Sequence, residues 1–482
     1  MNIDIYHTHI EVSPYKEGDC PEIEKYLSIW NDTRHQYEPM GYIVLNDILY
    51  LPRALNLQFI MMKLNFYGHP TFHYECHDKK VIDESYGMVA FPRNRIQEEA
   101  CAFMTSKENF KRNSNGSQYM LNLDTSFGKT FAMIHALMHY RMKSLIIVNR
   151  EKLAVQWTTE LIKMTNLPDN KIIFINSLKS MEETANNPSY GYVFVITHQR
   201  LQAYALANGW DKVKEWFDKS EFGIKCFDEC HRYFSNTLHI DFFSDTFKTF
   251  YLTATYGRTA PSEARIYDIA FRTICRFGEQ VSNYEEVRRH INFVTIKFHS
   301  YPPIGTSVKG PKGFSNYKYI DYALNEDNQT LLKAYKRVLD QIDRLEGRIL
   351  VISPKIESTE IIAEFTRNNT NKTCYATHSK KSKEEKELAE NADIISTTFG
   401  TIGEGLNIKK LRSIIVLQAI GNRINMSQLR GRLREYDDDH DTFIFYLLDT
   451  AFTELSDIYR RAVKPVMKQK AKETINVEWY DL

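Results

Sequence analysis

A chain of 482 residues is too long for one ordinary hydrophobic core, so two or three domains are expected. Hydrophobic residues make up 43% and charged residues 26%, with only 20 glycines and 14 prolines, which excludes long disordered linkers. The formal net charge of +1 removes any argument for a nucleic-acid partner from global basicity, so such an argument has to come from local sites.

In chain order, residues 1 to about 85 read as a small α+β segment. "GYIVLNDILYLPRAL" has the pattern of a hairpin turning at Asn46-Asp47, and "NLQFIMMKLN" that of a short helix. From about residue 119, short β-rich apolar runs alternate with longer stretches of helical period. The runs are "YMLNL" (119–123), "SLIIV" (144–148), "KIIFI" (171–175), "YVFVI" (192–196), "IKCF" (224–227) and "TFYL" (249–252). Buried parallel strands joined by crossover helices read this way.

After a less regular stretch at 256–290 the rhythm returns. Its runs are "INFVTI" (291–296), "RILVI" (348–352), "KTCYA" (372–376), "ADIIS" (392–396), "SIIVL" (413–417) and "TFIFYL" (442–447). The expected fold is α/β, with two tandem parallel-sheet domains at 86–285 and 286–482 behind a small α+β domain at 1–85.

No apolar run is long enough to span a membrane, and "MNIDIYHTHI" is mixed polar, so the chain is expected to remain in the cytoplasm. Its seven cysteines, odd in number and scattered, fit a reducing compartment. Two basic clusters, "HSKKSKEEKE" (378–387) and "YRRAVKPVMKQKAKE" (459–473), read first as solvated helix faces.

Chemistry gathers at the predicted strand ends. "LNLDTSFGKTF" (121–131) leads from the first strand into an apolar helix. Backbone N–H groups around Thr125, Ser126 and Gly128 can hold phosphates there, Lys129 can reach the terminal ones, and the Thr130 hydroxyl can ligate Mg²⁺. Leu123 stands where the simple pattern has glycine. The strand "IKCF" runs into Asp228 and Glu229, the acidic pair that a Mg·ATP site needs. Asp228 would hold the metal, and Glu229 would orient and deprotonate an attacking water. Cys226, Cys230 and His231 lack a second ligand pair at zinc-site spacing, as do His73, Cys76 and His77.

The succession Gly-Lys-Thr, Asp-Glu-Cys-His, then "YLTAT" resembles the first motor domain of the superfamily 2 helicases. "LIIVNREKLAVQW" (145–157) and "VITHQRL" (195–201) are similar to the family's backbone-gripping motifs. "PRNRIQEEA" (92–100) is similar to its adenine-sensing segment, with Gln97 in the glutamine position and Arg93 or Arg95 beside it. Further on, "ILVISPKIESTEIIAEF", "STTFGTIGEGLNIKKL" and "NMSQLRGRLRE" resemble the fourth, fifth and sixth motifs.

The resemblance implies two RecA-like domains, ATP and Mg²⁺ as cofactors, and arginines that stabilise the transferred phosphoryl group. Arg432 is the first candidate finger, and Arg434 stands one position early for the second arginine. Gln428 fits the sixth motif, Gly405 belongs to the fifth, and Asn407 replaces its usual aspartate. The implied nucleic-acid track is Arg150, Gln156, Thr197, His198, Lys355 and Thr398.

Within the superfamily the N-terminal module, "TSFGKT", "GTIGEGLNIKKL" and "GRLRE" most resemble the phage-type UvsW-like helicases that remodel branched DNA. The implied partner is forked or junction DNA, handled by a monomer or low-order oligomer in the host cytoplasm. A viral-type RNA helicase and a double-strand translocase or ATP-driven switch are the alternatives.

Overall fold

The computed structural model describes all residues except 32–33, 74–80, 107–116, 124–126, 188, 255–260, 279–290, 312, 343, 404–407, 409 and 434–440. It divides into two compact units, Met1–Tyr284 and Glu285–Leu482.

The first unit opens with strands β1 (Asn2–Ile5), β2 (His9–Ser13), β3 (Ser28–Asn31), β4 (Gln36–Pro39), β5 (Ile43–Leu45), β6 (Ile48–Pro52) and β7 (Thr71–Phe72). Five of these form a sheet in the order β5-β6-β2-β1-β7, and β3 and β4 form a separate hairpin. The β5–β6 turn falls at Asn46 and Asp47, whose φ values of 51° and 57° are the left-handed pair that a two-residue hairpin needs. Ile10 and Val12 point into a core with Ile3, Ile5, Leu49 and Leu51. The period of two turns His9 and Glu11 to the opposite face.

That opposite face meets the second sheet of the unit, built from β8 (Gln118–Asn122), β9 (Ser144–Val148), β10 (Ile172–Ile175), β11 (Val193–Thr197), β12 (Ile224–Asp228), β13 (Lys248–Thr253) and β14 (Cys275–Phe277). The His9 ring lies 3.1 Å from Glu11 Oε1, which also accepts from Lys214 Nζ at 3.1 Å. Thr8 Oγ1 donates to the Ser244 carbonyl at 2.8 Å, and His7 pairs with Asp245 at 3.2 Å. Below them Lys225, wholly buried, pairs with Asp241 at 2.7 Å, and Asp241 accepts from Tyr251, which accepts from Gln118. Gln118 opens β8, so this junction lies at the end of the sheet opposite the phosphate loop.

The seven strands are parallel in the order β10-β11-β9-β12-β13-β8-β14. Consecutive β8 and β9 are therefore not neighbours, which creates the change of direction beside which open α/β sheets bind ligands. The carboxyl ends of β12, β13 and β8 lie side by side.

The second unit contains β15 (Ile291–Phe298), the short hairpin β16 (Lys309–Gly310) and β17 (Gly313–Phe314), then β18 (Arg348–Ser353), β19 (Cys374–Thr377), β20 (Ile394–Thr398), β21 (Leu411–Val416), β22 (Thr442–Asp449) and β23 (Glu473–Trp479). Its main sheet is also parallel and seven-stranded, in the order β19-β20-β18-β21-β22-β15-β23. The protein therefore has the expected tandem RecA-like α/β architecture with a small α+β region before it. The basic stretch read as helical ends differently: its helix stops at Lys470, and the following residues form the edge strand β23. No helix among the described residues is long and apolar enough to cross a membrane.

Candidate nucleotide site

Leu123 continues β8 rather than opening a glycine turn. It is buried, and its N–H donates to the Thr253 carbonyl at 3.1 Å. The chain then reaches Gly128, whose φ of +90° caps the helix Lys129–Tyr140. A side chain is excluded there twice over, by the backbone and by Gln97, because a Cβ on Gly128 would lie 2.3 Å from Gln97 Nε2.

Gln97 is 5% exposed on the helix Arg95–Thr105, whose first turn is capped by Asn94 through the Gln97 N–H. Its Oε1 accepts from the Arg93 backbone N–H at 2.8 Å, which fixes the amide with Nε2 against the phosphate-loop glycine. The helix start at Asn94–Gln97 and the Gly-Lys-Thr turn are thus in direct contact.

Lys129 Nζ donates to the Leu123 carbonyl at 2.8 Å. On the next strand but one, Asp228 ends β12 and its Oδ2 accepts from the Trp157 indole N–H at 2.9 Å. Burial, and then the charge of Glu229, raise the Asp228 carboxyl to about 6, while Trp157 and Lys129 oppose the rise. Glu229 leaves the strand in the left-handed region at φ 50°. Its Oε2 is buried and accepts no hydrogen bond among the described residues. His231 Nδ1 lies 3.3 Å from that oxygen but bonds Thr253 Oγ1 on β13 at 2.9 Å.

These groups fit a Mg·nucleotide. Helix N–H groups and a lysine face one side, and a hydroxyl-bearing Thr130 follows directly. Two half-buried carboxylates, one with an oxygen that accepts no hydrogen bond among the described residues, stand where cationic or water partners would satisfy them. A single carboxylate ligand suits Mg²⁺, which keeps waters and phosphate oxygens in its shell.

The raised Asp228 pKa carries a stability consequence. Between pH 3.8 and about 6 the unfolded chain has released a proton that the folded chain keeps, so stability falls as pH rises through that window. Asp228→Asn removes this cost and keeps an acceptor for Trp157. It is expected to stabilise the nucleotide-free protein at pH 8 by on the order of 1–3 kcal/mol, seen as a melting temperature a few degrees higher. An unchanged or lower melting temperature refutes this reading of the site.

The expected nucleic-acid track divides by accessibility. Arg150 is half-buried at the start of the helix Glu151–Met164, and Gln156 is exposed on it. His198 requires a correction: its ring is fully buried, stacked between Phe227 and Tyr233, with Nδ1 at 3.1 Å from Asn236 Nδ2. Burial lowers its pKa to about 3, so it is a neutral core group that cannot touch a phosphate at the surface. Thr197 is also buried, and its hydroxyl caps the helix His198–Asn208 by accepting from the Arg200 N–H.

In the second unit Lys355 pairs with Asp321, and the Thr398 hydroxyl lies 3.0 Å from that of Thr401. Gln428 lies on the helix Arg423–Arg430, and Arg432 follows it; both are half-buried. Thr125, Ser126, Gly405, Asn407 and Arg434 lie outside the described residues.

Sequence reasoning passed over two residues. Trp157 is 2% exposed and donates directly to Asp228. The only local signal was the Gln-Trp step at the end of a motif quoted for other reasons. Phe91 is 83% exposed six positions before Gln97, where a flat apolar ring open to solvent can take a purine face.

Residues 91–258 match the family described as the type III restriction enzyme, res subunit. The matched segment holds Gln97, the Gly-Lys-Thr turn and the acidic pair Asp228 and Glu229. Among particular relatives, the chain is 23% identical over 412 residues to the transcript termination protein A18 of Yaba monkey tumor virus, covering 79% of this chain and 78% of that one. Its fold is similar to that of S. cerevisiae Dbp5 bound to RNA and ADP BeF3, with a TM-score of 0.51 and 11% identity over 80% of this chain and 89% of that one. The Pyrococcus furiosus Hef helicase domain gives 0.49 and 14% over 77% and 98% of the two chains. T4 UvsW gives 0.37 and 17% over 99% and 100%.

Proposed function

We propose that the protein is an ATP-hydrolysing motor that unwinds or branch-migrates forked and junction DNA in replication, recombination or repair. The observation that carries the hydrolytic reading is the Glu229 oxygen beside Asp228 that accepts no hydrogen bond among the described residues, on the strand end next but one to the Gly-Lys-Thr turn.

In this reading Gly128, with Thr125 and Ser126, offers backbone N–H groups to the phosphates, and Lys129 leaves the Leu123 carbonyl to meet the terminal phosphoryl oxygens. Thr130 and Asp228 are the residues that would hold Mg²⁺, which would supply positive charge against the phosphates. Glu229 orients a water and takes its proton as the water oxygen attacks the terminal phosphorus, and the bond to the departing ADP oxygen breaks. Gln97 reads the adenine, Gly405, Asn407 and Gln428 complete the nucleotide contacts, and Arg432 or Arg434 stabilises charge on the phosphoryl group.

Residues 1–85 form the accessory region, 86–285 the first motor and 286–482 the second. Arg150, Gln156, Lys355 and Thr398 contact the nucleic-acid backbone. At 197–198 the contact falls to main-chain groups, since both side chains are buried. Phosphate and sugar contacts carry little sequence information, so binding has weak sequence preference and falls steeply with salt.

A second reading has its own support: the viral relative is named for transcript termination, and the yeast Dbp5 structure is bound to RNA, which favours RNA as the track. ATPase stimulation measured side by side with single-stranded DNA, duplex DNA, forks, four-way junctions and RNA separates them. Strongest stimulation by forks and junctions is expected. Stimulation by RNA alone establishes the second reading, and none by any polymer removes the motor reading.

A further inference from the structure

The helix Glu151–Met164 has two faces. Ala154, Trp157 and Leu161, at helical spacing, are buried against the sheet, while Val155 and Gln156 are exposed. Its first turn follows β9, which pairs with β12 from Ser144↔Ile224 to Ile147↔Phe227. That pairing stops one residue short of Asp228. The carboxylate instead reaches the underside of the helix, where Trp157 donates to Oδ2 at 2.9 Å.

We infer that Trp157 is a positioning residue that ties Asp228 to the helix whose outer face holds the nucleic acid, so that occupation of that face adjusts the metal-holding carboxylate. The inference rests on the motor reading above and adds to it a physical link between its two ends. The link is short: Gln156, offered to the polymer, and Trp157, bonded to Asp228, are adjacent residues on one rigid element. A shift of this helix by a fraction of the 2.9 Å bond length moves the donor and, with it, the rotamer that Asp228 prefers. An indole that merely needed a buried acceptor could have used a carbonyl.

Trp157→Phe keeps an aromatic ring and removes the N–H. In the full-length protein, the stimulation of ATPase by oligothymidylate is expected to fall about tenfold, within the ordinary range of coupling between sites. Affinity for oligothymidylate without nucleotide should stay within about twofold, because the outer face is untouched. The affinity of ADP in the presence of Mg²⁺, measured by calorimetry, should fall, and its affinity without Mg²⁺ should not.

A second measurement needs no variant to fold. With 5-fluorotryptophan in the wild type, the Trp157 resonance should move when oligothymidylate is added without nucleotide. Equal stimulation in the wild type and Trp157→Phe, or a Trp157 resonance unmoved by bound oligothymidylate, overturns the link while leaving the motor reading intact. A wild type that no nucleic acid stimulates overturns the motor reading itself.

Discussion

Lys129→Ala is expected to abolish ATP hydrolysis, lowering turnover by on the order of 10³-fold or more. The lysine heads the helix that follows Gly128, and its Nζ is held at 2.8 Å from the Leu123 carbonyl. A carbonyl oxygen is a neutral acceptor, and a terminal phosphate oxygen is a charged one, so bound nucleotide draws the amine away from its resting partner. Alanine leaves that partner to water and removes the positive charge opposite the phosphates.

Folding should be unaffected, because the core of this helix is Phe131, Ala132, Met133, Ile134, Ala136, Leu137 and Met138, none of which depends on the lysine. Nucleotide binding by calorimetry, steady-state ATPase and thermal melting check the three parts. Hydrolysis within tenfold of the wild type, at unchanged stability, would remove Lys129 from the site.

Glu229→Gln is expected to separate binding from turnover. Both side chains have the same shape, so the left-handed backbone at φ 50° and the contact with His231 are retained. The amide cannot take a proton from water, and turnover should fall by about 10²- to 10⁴-fold. ATP affinity should remain within a few-fold of the wild type. Single-turnover hydrolysis beside equilibrium ATP binding is the measurement. A loss of ATP binding as severe as that of Lys129→Ala would mean that Glu229 holds the ligand and does not serve the water.

Much of this site was legible because phosphate chemistry imposes local patterns. The run 144–148 is a strand residue for residue, and the acidic pair does fall at the end of β12. Other elements gave no signal. Strand β14 has three residues, and β23, "ETINVEW", is mostly exposed at a sheet edge, so neither has an apolar run to read. His198 shows the limit most clearly. Its neighbours gave it a place in a surface motif, but the first turn of its helix faces inward, between Phe227 and Tyr233, and the ring became core.

The amino-acid order by itself determined the chemistry available: a Gly-Lys-Thr loop, a carboxylate pair, a glutamine upstream and two rounds of strand and helix. Only the tertiary structure decided which of these groups meet. Strand order β12-β13-β8 brings the ends at Asp228, Thr253 and Leu123 together, although they are scattered along the sequence. It also sets the Gln97 amide against Gly128 and the Trp157 indole on Asp228, 71 residues away. Local patterns specify helices and strands through backbone geometry and the period of apolar residues. The partner of a buried polar atom is chosen by whichever chain segment packs beside it, and that is a property of the assembled sheet.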